Sequence, residues 1–173
     1  MKKALLIFAA LIAGGIAMAQ SKAVVVYFSA SGTTKGVAEK IAAIENCDII
    51  EIVPKQPYSS ADLNWHDNKS RTSKEKDNRD GIRPEIANKI DVSAYDTIYL
   101  GFPIWWYEAP NIVYTFVENA DLSGKTVFTF FTSGGSGIGR TIQILEKKAP
   151  KAIWKSAKRF NARVTESDIK NWK

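Results

Sequence analysis

The strongest constraint on this chain is the alternation of short, continuous β-branched and aromatic runs with stretches of helical periodicity. Ala23-Val24-Val25-Val26-Tyr27-Phe28, Ile49-Ile50-Glu51-Ile52-Val53, Thr97-Ile98-Tyr99-Leu100-Gly101-Phe102 and Thr126-Val127-Phe128-Thr129-Phe130-Phe131 are such runs. They predict strands covered on both faces. Ala152 to Phe160 is a weaker fifth strand, with lysines alternating through it. Between these runs, Thr34 to Ala43 puts Val37 and Ile41, with Ile44 beyond, on one side of a helix. Ala61 to about Arg79, Asn111 to Asn119 and Ile138 to Lys148 give three more helices, and Glu166 to Trp172 begins another that stops early. Strands and helices in this order imply βαβ units and a parallel sheet with helices on both faces. The expected fold class is α/β, a doubly wound three-layer sandwich.

Residues 1–19 stand apart from that domain. Lys2 and Lys3 precede an uncharged run from Ala4 to Ala19 that ends Ala17-Met18-Ala19, the positive end, apolar middle and small-residue cleavage pattern of a secretory signal. The run is too short and ends too small for a membrane anchor. No arginine precedes Lys22, so a twin-arginine signal is absent and the route is of the Sec type. The reading predicts an exported protein, periplasmic or secreted, whose domain occupies residues 20–173 and has no membrane span once the signal is removed. The one cysteine, Cys47, makes no internal disulfide and reads as a small buried residue at the start of a strand.

Net charge is +6 for the whole chain and +4 without Lys2 and Lys3. Much of the positive charge lies in Lys69 to Arg79, where Glu75, Asp77 and Asp80 break it up. Close mixed signs without interleaved aromatics describe a solvated helical face rather than a nucleic-acid surface. His66 is the only histidine and lacks companions for a metal site. No G-x-S-x-G elbow is present for hydrolase chemistry. Tyr58 and Trp65 are expected to cover the sheet edge.

In sheets of this kind ligands bind at the carboxyl ends of the strands, and three loops there have unusual chemistry. After the first strand comes Ser29-Ala30-Ser31-Gly32-Thr33-Thr34-Lys35. Backbone N–H groups and the positive end of a helix converge there, with hydroxyls beside them. It matches neither G-x-x-x-x-G-K-[ST] nor G-x-G-x-x-G. Two readings stand open: a cradle for a phosphate monoester, or a capping turn in which Ser31 or Thr33 starts the helix. After the third strand, Gly101-Phe102-Pro103-Ile104-Trp105-Trp106-Tyr107-Glu108-Ala109-Pro110 sets three aromatics between stiffening prolines. Either one ring is presented for stacking on a flat heterocycle, or the tryptophans plug the sheet end. After the fourth strand, Thr132-Ser133-Gly134-Gly135-Ser136-Gly137-Ile138-Gly139-Arg140 has four glycines between 134 and 139, which let backbone approach a ligand closely. In a sheet ordered 2-1-3-4-5 the ends of strands 1, 3 and 4 are neighbours.

At these loops the chain resembles the flavodoxin family, over essentially all of Lys22 to Trp172. Ser29, Ser31, Gly32 and Thr34 match the family's T/S-x-T/S-G-x-T phosphate motif in register. Phe102-Pro103-Ile104-Trp105-Trp106 with Pro110 is similar to its flavin-flanking loop, and Phe131 to Gly139 to its third loop. The resemblance implies the flavodoxin-like five-stranded parallel sheet in the order 2-1-3-4-5, and FMN as cofactor. It implies the phosphate at Ser29, Ala30, Ser31, Gly32, Thr33 and Thr34. The ring would lie between Pro103, Ile104, Trp105, Trp106 and Tyr107 on one side and Thr132, Ser133, Gly134 and Gly135 on the other. The third loop carries no aromatic, so the stack is expected to be one-sided, with Trp106 its ring. The implied role is an exported FMN electron carrier, a monomer exchanging electrons with redox partner proteins. Its net positive charge predicts a less negative hydroquinone potential than that of acidic flavodoxins. Two other roles use the same fold: an FMN-dependent NAD(P)H oxidoreductase of the quinone-reductase type, and a binding module without redox use.

Overall fold

A computed structural model describes residues 22–172, so the proposed signal at 1–19 lies outside the described residues. The chain runs β1 (Ala23–Tyr27), α1 (Thr33–Glu45), β2 (Asp48–Glu51), α2 (Arg71–Asp77), β3 (Thr97–Pro103), α3 (Asn111–Asn119), β4 (Thr126–Thr132), α4 (Thr141–Lys148), β5 (Ile153–Arg159) and α5 (Glu166–Lys170). The sheet has the order β2-β1-β3-β4-β5 and every pairing in it is parallel. This is the doubly wound arrangement expected from the alternation.

The central strands are apolar on both sides because alternate residues feed different layers. Val24, Val26 and Phe28 of β1 and its exit, with Ile98, Leu100 and Phe102 of β3, pack with Ile112, Val113 and Phe116 of α3 and Leu145 of α4. On the other face, Val25, Tyr27 and Tyr99 join Phe130 of β4, Val37 and Ile41 of α1, and Ile169 and Trp172 at the C-terminal end. Gly101 is required inside this packing, since a Cβ there would come 2.0 Å from the Phe130 ring.

Three expectations are corrected. The helix read over Ala61 to Arg79 is confined to Arg71–Asp77, because side chains before it bond the backbone in competing turns. Asp62 accepts from the Ser59 N–H at 2.9 Å, Asn64 from His66 at 3.1 Å and Asp67 from Lys69 at 2.8 Å. The helix read from Ile138 begins at Thr141, since Gly139 adopts φ 55°. Strand β2 is an edge strand rather than one covered on both faces: Ile49 is 41% exposed, and Cys47, just before it, is half-buried. Among the described residues no helix is long and apolar enough to cross a membrane.

Candidate functional site

All five strands point the same way, so their carboxyl ends share one edge of the sheet, where a cleft of about 650 Å³ opens. Ala30 and Ser31 come to it from the first loop, Pro103, Ile104, Trp105, Trp106 and Tyr107 from the second, and Ser133, Gly134 and Gly135 from the third. Leu63, Trp65 and Thr72, from β2–α2 and the first turn of α2, form a further wall.

The first loop is built around Gly32, whose φ of 86° is the left-handed conformation that glycine adopts without a Cβ penalty. Its N–H donates to Ser29 Oγ at 3.1 Å, and its carbonyl accepts the first helical bond from Gly36 at 3.0 Å. No side chain caps α1, and Ser31 and Thr33 are exposed. Of the two readings of this loop, the capping turn is therefore not what the hydroxyls do. The first-turn N–H groups have no acceptor within a helix, and the exposed Ser31 and Thr33 lie beside them in the chain. Thr34 acts differently. Its hydroxyl bonds that of Thr132 at 2.7 Å, and the two residues are 1% and 4% exposed. This bond ties the start of α1 to the end of β4.

The second loop is a tight hairpin. Trp105 N donates to Glu108 O at 2.9 Å and Glu108 N to Trp105 O at 3.2 Å. The two residues between them, Trp106 and Tyr107, both have positive φ, 50° and 64°. Arg79, from the segment after α2, holds this hairpin. Its guanidinium donates to Ala109 O and Trp105 O, each at 2.8 Å, and pairs with Glu108 at 3.1 Å. From the third loop, Gly139 lies so close that a Cβ on it would be 2.3 Å from Tyr107 O.

The two tryptophans divide the readings made of them. Trp105 plugs: its ring meets Phe28 at 5.7 Å and Tyr58 at 5.4 Å between centroids, both edge-on. Trp106 is half-exposed on the cleft, with the Lys76 ammonium 5.7 Å from its ring centroid. Beneath Trp105, the Tyr58 hydroxyl donates to Glu75, Arg71 Nε donates to the same carboxylate at 2.9 Å, and the Arg71 guanidinium stacks 3.9 Å over the Tyr58 ring. Burial pushes the Glu75 carboxyl above its usual range, against the opposing pull of Tyr58 and Arg71. Tyr58 thus braces the cleft floor. Trp65 does not lie flat on a sheet edge; it is 64% exposed, lines the cleft, and has its ring 3.4 Å from that of His66.

Sequence reasoning missed Leu63, Trp65 and Thr72 as cleft residues, and missed Arg79 and Gly139 as supports. An indole in a polar, turn-forming stretch was a usable signal for Trp65, because such a loop gives it no core to enter. Nothing local marks Arg79. Among the described residues no group of three or more His, Cys, Asp or Glu side chains is placed to hold a metal ion.

A doubly wound sheet with a hydroxyl-rich helix start, an indole wall and a glycine-rich turn has its cleft at the strand ends, where sheets of this kind bind ligands. The chain belongs to the flavodoxin family, whose model matches residues 22–173. It is similar to a candidate flavoprotein from Bacteroides eggerthii, with 44% identity over 88% of this chain and 96% of that one and a TM-score of 0.83. A counterpart from Bacteroides uniformis gives 40% identity over 88% and 97%, with a TM-score of 0.82. A flavoprotein from Lactobacillus acidophilus, crystallised in complex with FMN, gives 25% identity over 88% and 99%, with a TM-score of 0.68. No curated protein matches. Family membership and the FMN complex of the Lactobacillus neighbour support FMN as the cofactor.

Proposed function

We propose that the protein binds FMN in this cleft and works as an electron-transfer flavoprotein outside the cytoplasm. The observation that carries the reading is the convergence of Ala30 and Ser31 from the first loop, Trp106 from the second and the Ser133–Gly135 turn on one cleft. The donors there suit the group. Gly32 has nothing within 4 Å of a notional Cβ, and neither do Gly134 and Gly135, so backbone is open to a ligand on both sides. The N–H groups at the start of α1, with Ser31 and Thr33, would hold the phosphate through neutral donors and the helix dipole. Trp106 and Trp105, backed by Phe28 and Tyr58, offer a rigid apolar wall for the ring and exclude water from it.

When bound, FMN supplies the redox chemistry, taking up and passing on electrons at its ring. The chain sets access and potential. Lys76, beside Trp106, and the mild positive net charge favour the more negative, reduced form, which supports a potential at the less negative end for such proteins. Export rests on the residues 1–19 pattern.

Titrating the flavin-free domain with FMN tests the reading. Saturable one-to-one quenching of flavin fluorescence is expected, and a protein that stays colourless at millimolar FMN overturns it. Cell fractionation should find a chain shortened near residue 20 outside the cytoplasm. An FMN-dependent NAD(P)H oxidoreductase is favoured by one observation: Trp65 and Tyr107, 64% and 63% exposed, leave aromatic surface at the mouth for a second planar ring. Steady-state NADPH oxidation by the FMN-loaded protein separates the two, the carrier giving none.

A further inference from the structure

Two bulky residues in succession with positive φ are costly. A two-residue hairpin loop of this kind ordinarily takes Asn-Gly or a similar pair, because a left-handed residue with a Cβ crowds its own carbonyl. Such conformations persist only where the surroundings over-determine them. At Trp106-Tyr107 the restraint does not come from the Tyr107 side chain, which is largely in solvent. Gly139 packs against Tyr107 O from the third loop, and Arg79 reaches both ends of the loop at once: Trp105 O before it, and Glu108 and Ala109 O after it. A planar guanidinium spans three such acceptors, and an ammonium does not. Arg79 is itself 17% exposed at its side chain, so the acceptors it serves have little water to replace it.

We propose that Arg79 is the positioning residue of the cleft, a fork that keeps the Trp106-Tyr107 turn left-handed and so fixes the face on which the flavin ring stacks. The inference rests on the FMN reading for its consequence, but the turn itself can be read without flavin. Two measurements on Arg79→Ala, Arg79→Lys and the double variant Arg79→Ala/Tyr107→Gly test it. In the flavin-free proteins, the amide-to-α-proton coupling of Tyr107 reports its φ. It should leave the positive-φ value in Arg79→Ala and remain partly populated in Arg79→Lys. In FMN titrations, Arg79→Ala should bind roughly tenfold more weakly, about 1.4 kcal/mol, with Arg79→Lys in between. Adding Tyr107→Gly, which removes the left-handed penalty at that residue, should recover most of the loss. A residue that only stabilises the fold would not be rescued by a glycine in the turn. Unchanged Tyr107 coupling, affinity within about twofold of the parent, or absence of rescue each overturn the proposal. If the parent takes up no FMN while the coupling still shifts in Arg79→Ala, the functional reading fails and the fork stands.

Discussion

At Gly32 the chain enters the left-handed region with a glycine, at φ 86° and with nothing near it. At Trp106 and Tyr107 it enters the same region with two large aromatics, locked by Arg79 from the α2–β3 segment and by Gly139 from the third loop. The first solution is local: the residue itself permits the conformation. The second is distributed, because residues 27 and 32 positions away supply what the turn residues do not. A loop of the first kind travels as a motif. One of the second kind works only inside its fold, but it can place a ring where a glycine would place none.

Substitutions can break or sharpen this contrast. The largest effect should come from Gly139→Ala, which adds both left-handed strain and a collision with Tyr107 O. Denaturant unfolding should show a loss of about 3 kcal/mol, against less than about 0.5 kcal/mol for Gly135→Ala in the same loop. Gly32→Ala should cost about 1–2 kcal/mol, from conformation alone; a cost equal to that of Gly139→Ala would erase the distinction between local and distributed support. Thr34→Val leaves the buried Thr132 hydroxyl without its partner and should cost about 1–2 kcal/mol. The double variant with Thr132→Val should cost less than the sum, since both polar atoms are then gone, and strict additivity in that cycle would show that the first and third loops are not tied.

The smallest effect is a pH dependence on the aromatic side. Burial raises the Glu75 carboxyl in the folded protein. Its contribution to stability is therefore fully present below the ordinary glutamate value of 4.5 and is lost as pH rises through the raised value. Glu75→Gln should accordingly gain stability relative to the parent over the span that starts near pH 4.5 and runs upward. Melting curves whose separation stays constant over that span would contradict it.

The same contrast accounts for what could be read in advance. The central strands were legible because burial on both faces removes polar alternation, as in Val24 to Phe28 and Thr97 to Phe102. The start of α1 was legible because its cause is local: Gly32 permits its own left-handed turn and donates its N–H to Ser29 Oγ three residues back. The second loop disclosed its aromatics but not its conformation, since Trp-Tyr is not a sequence for a positive-φ turn and the cause lies in Arg79. The Ala61 to Arg79 stretch was misread because polar spacing suits both a solvated helix and consecutive side-chain turns. Asp62, Asn64 and Asp67 decide between them through hydrogen bonds that no periodicity records. Ile49 was overestimated because a run of apolar residues does not say which strand ends up with only one neighbour.

The cleft draws its surfaces from Ala30, Trp65, Trp106 and Gly135, stretches of chain that meet only after β1, β3 and β4 are paired in register. No fragment or half-assembled sheet holds more than a portion of it. The yellow of a captured flavin would therefore act as a census of assembled clefts: visible absorbance per polypeptide, followed through refolding, counts chains in which β1, β3 and β4 have all paired, while backbone signals count any chain with helices.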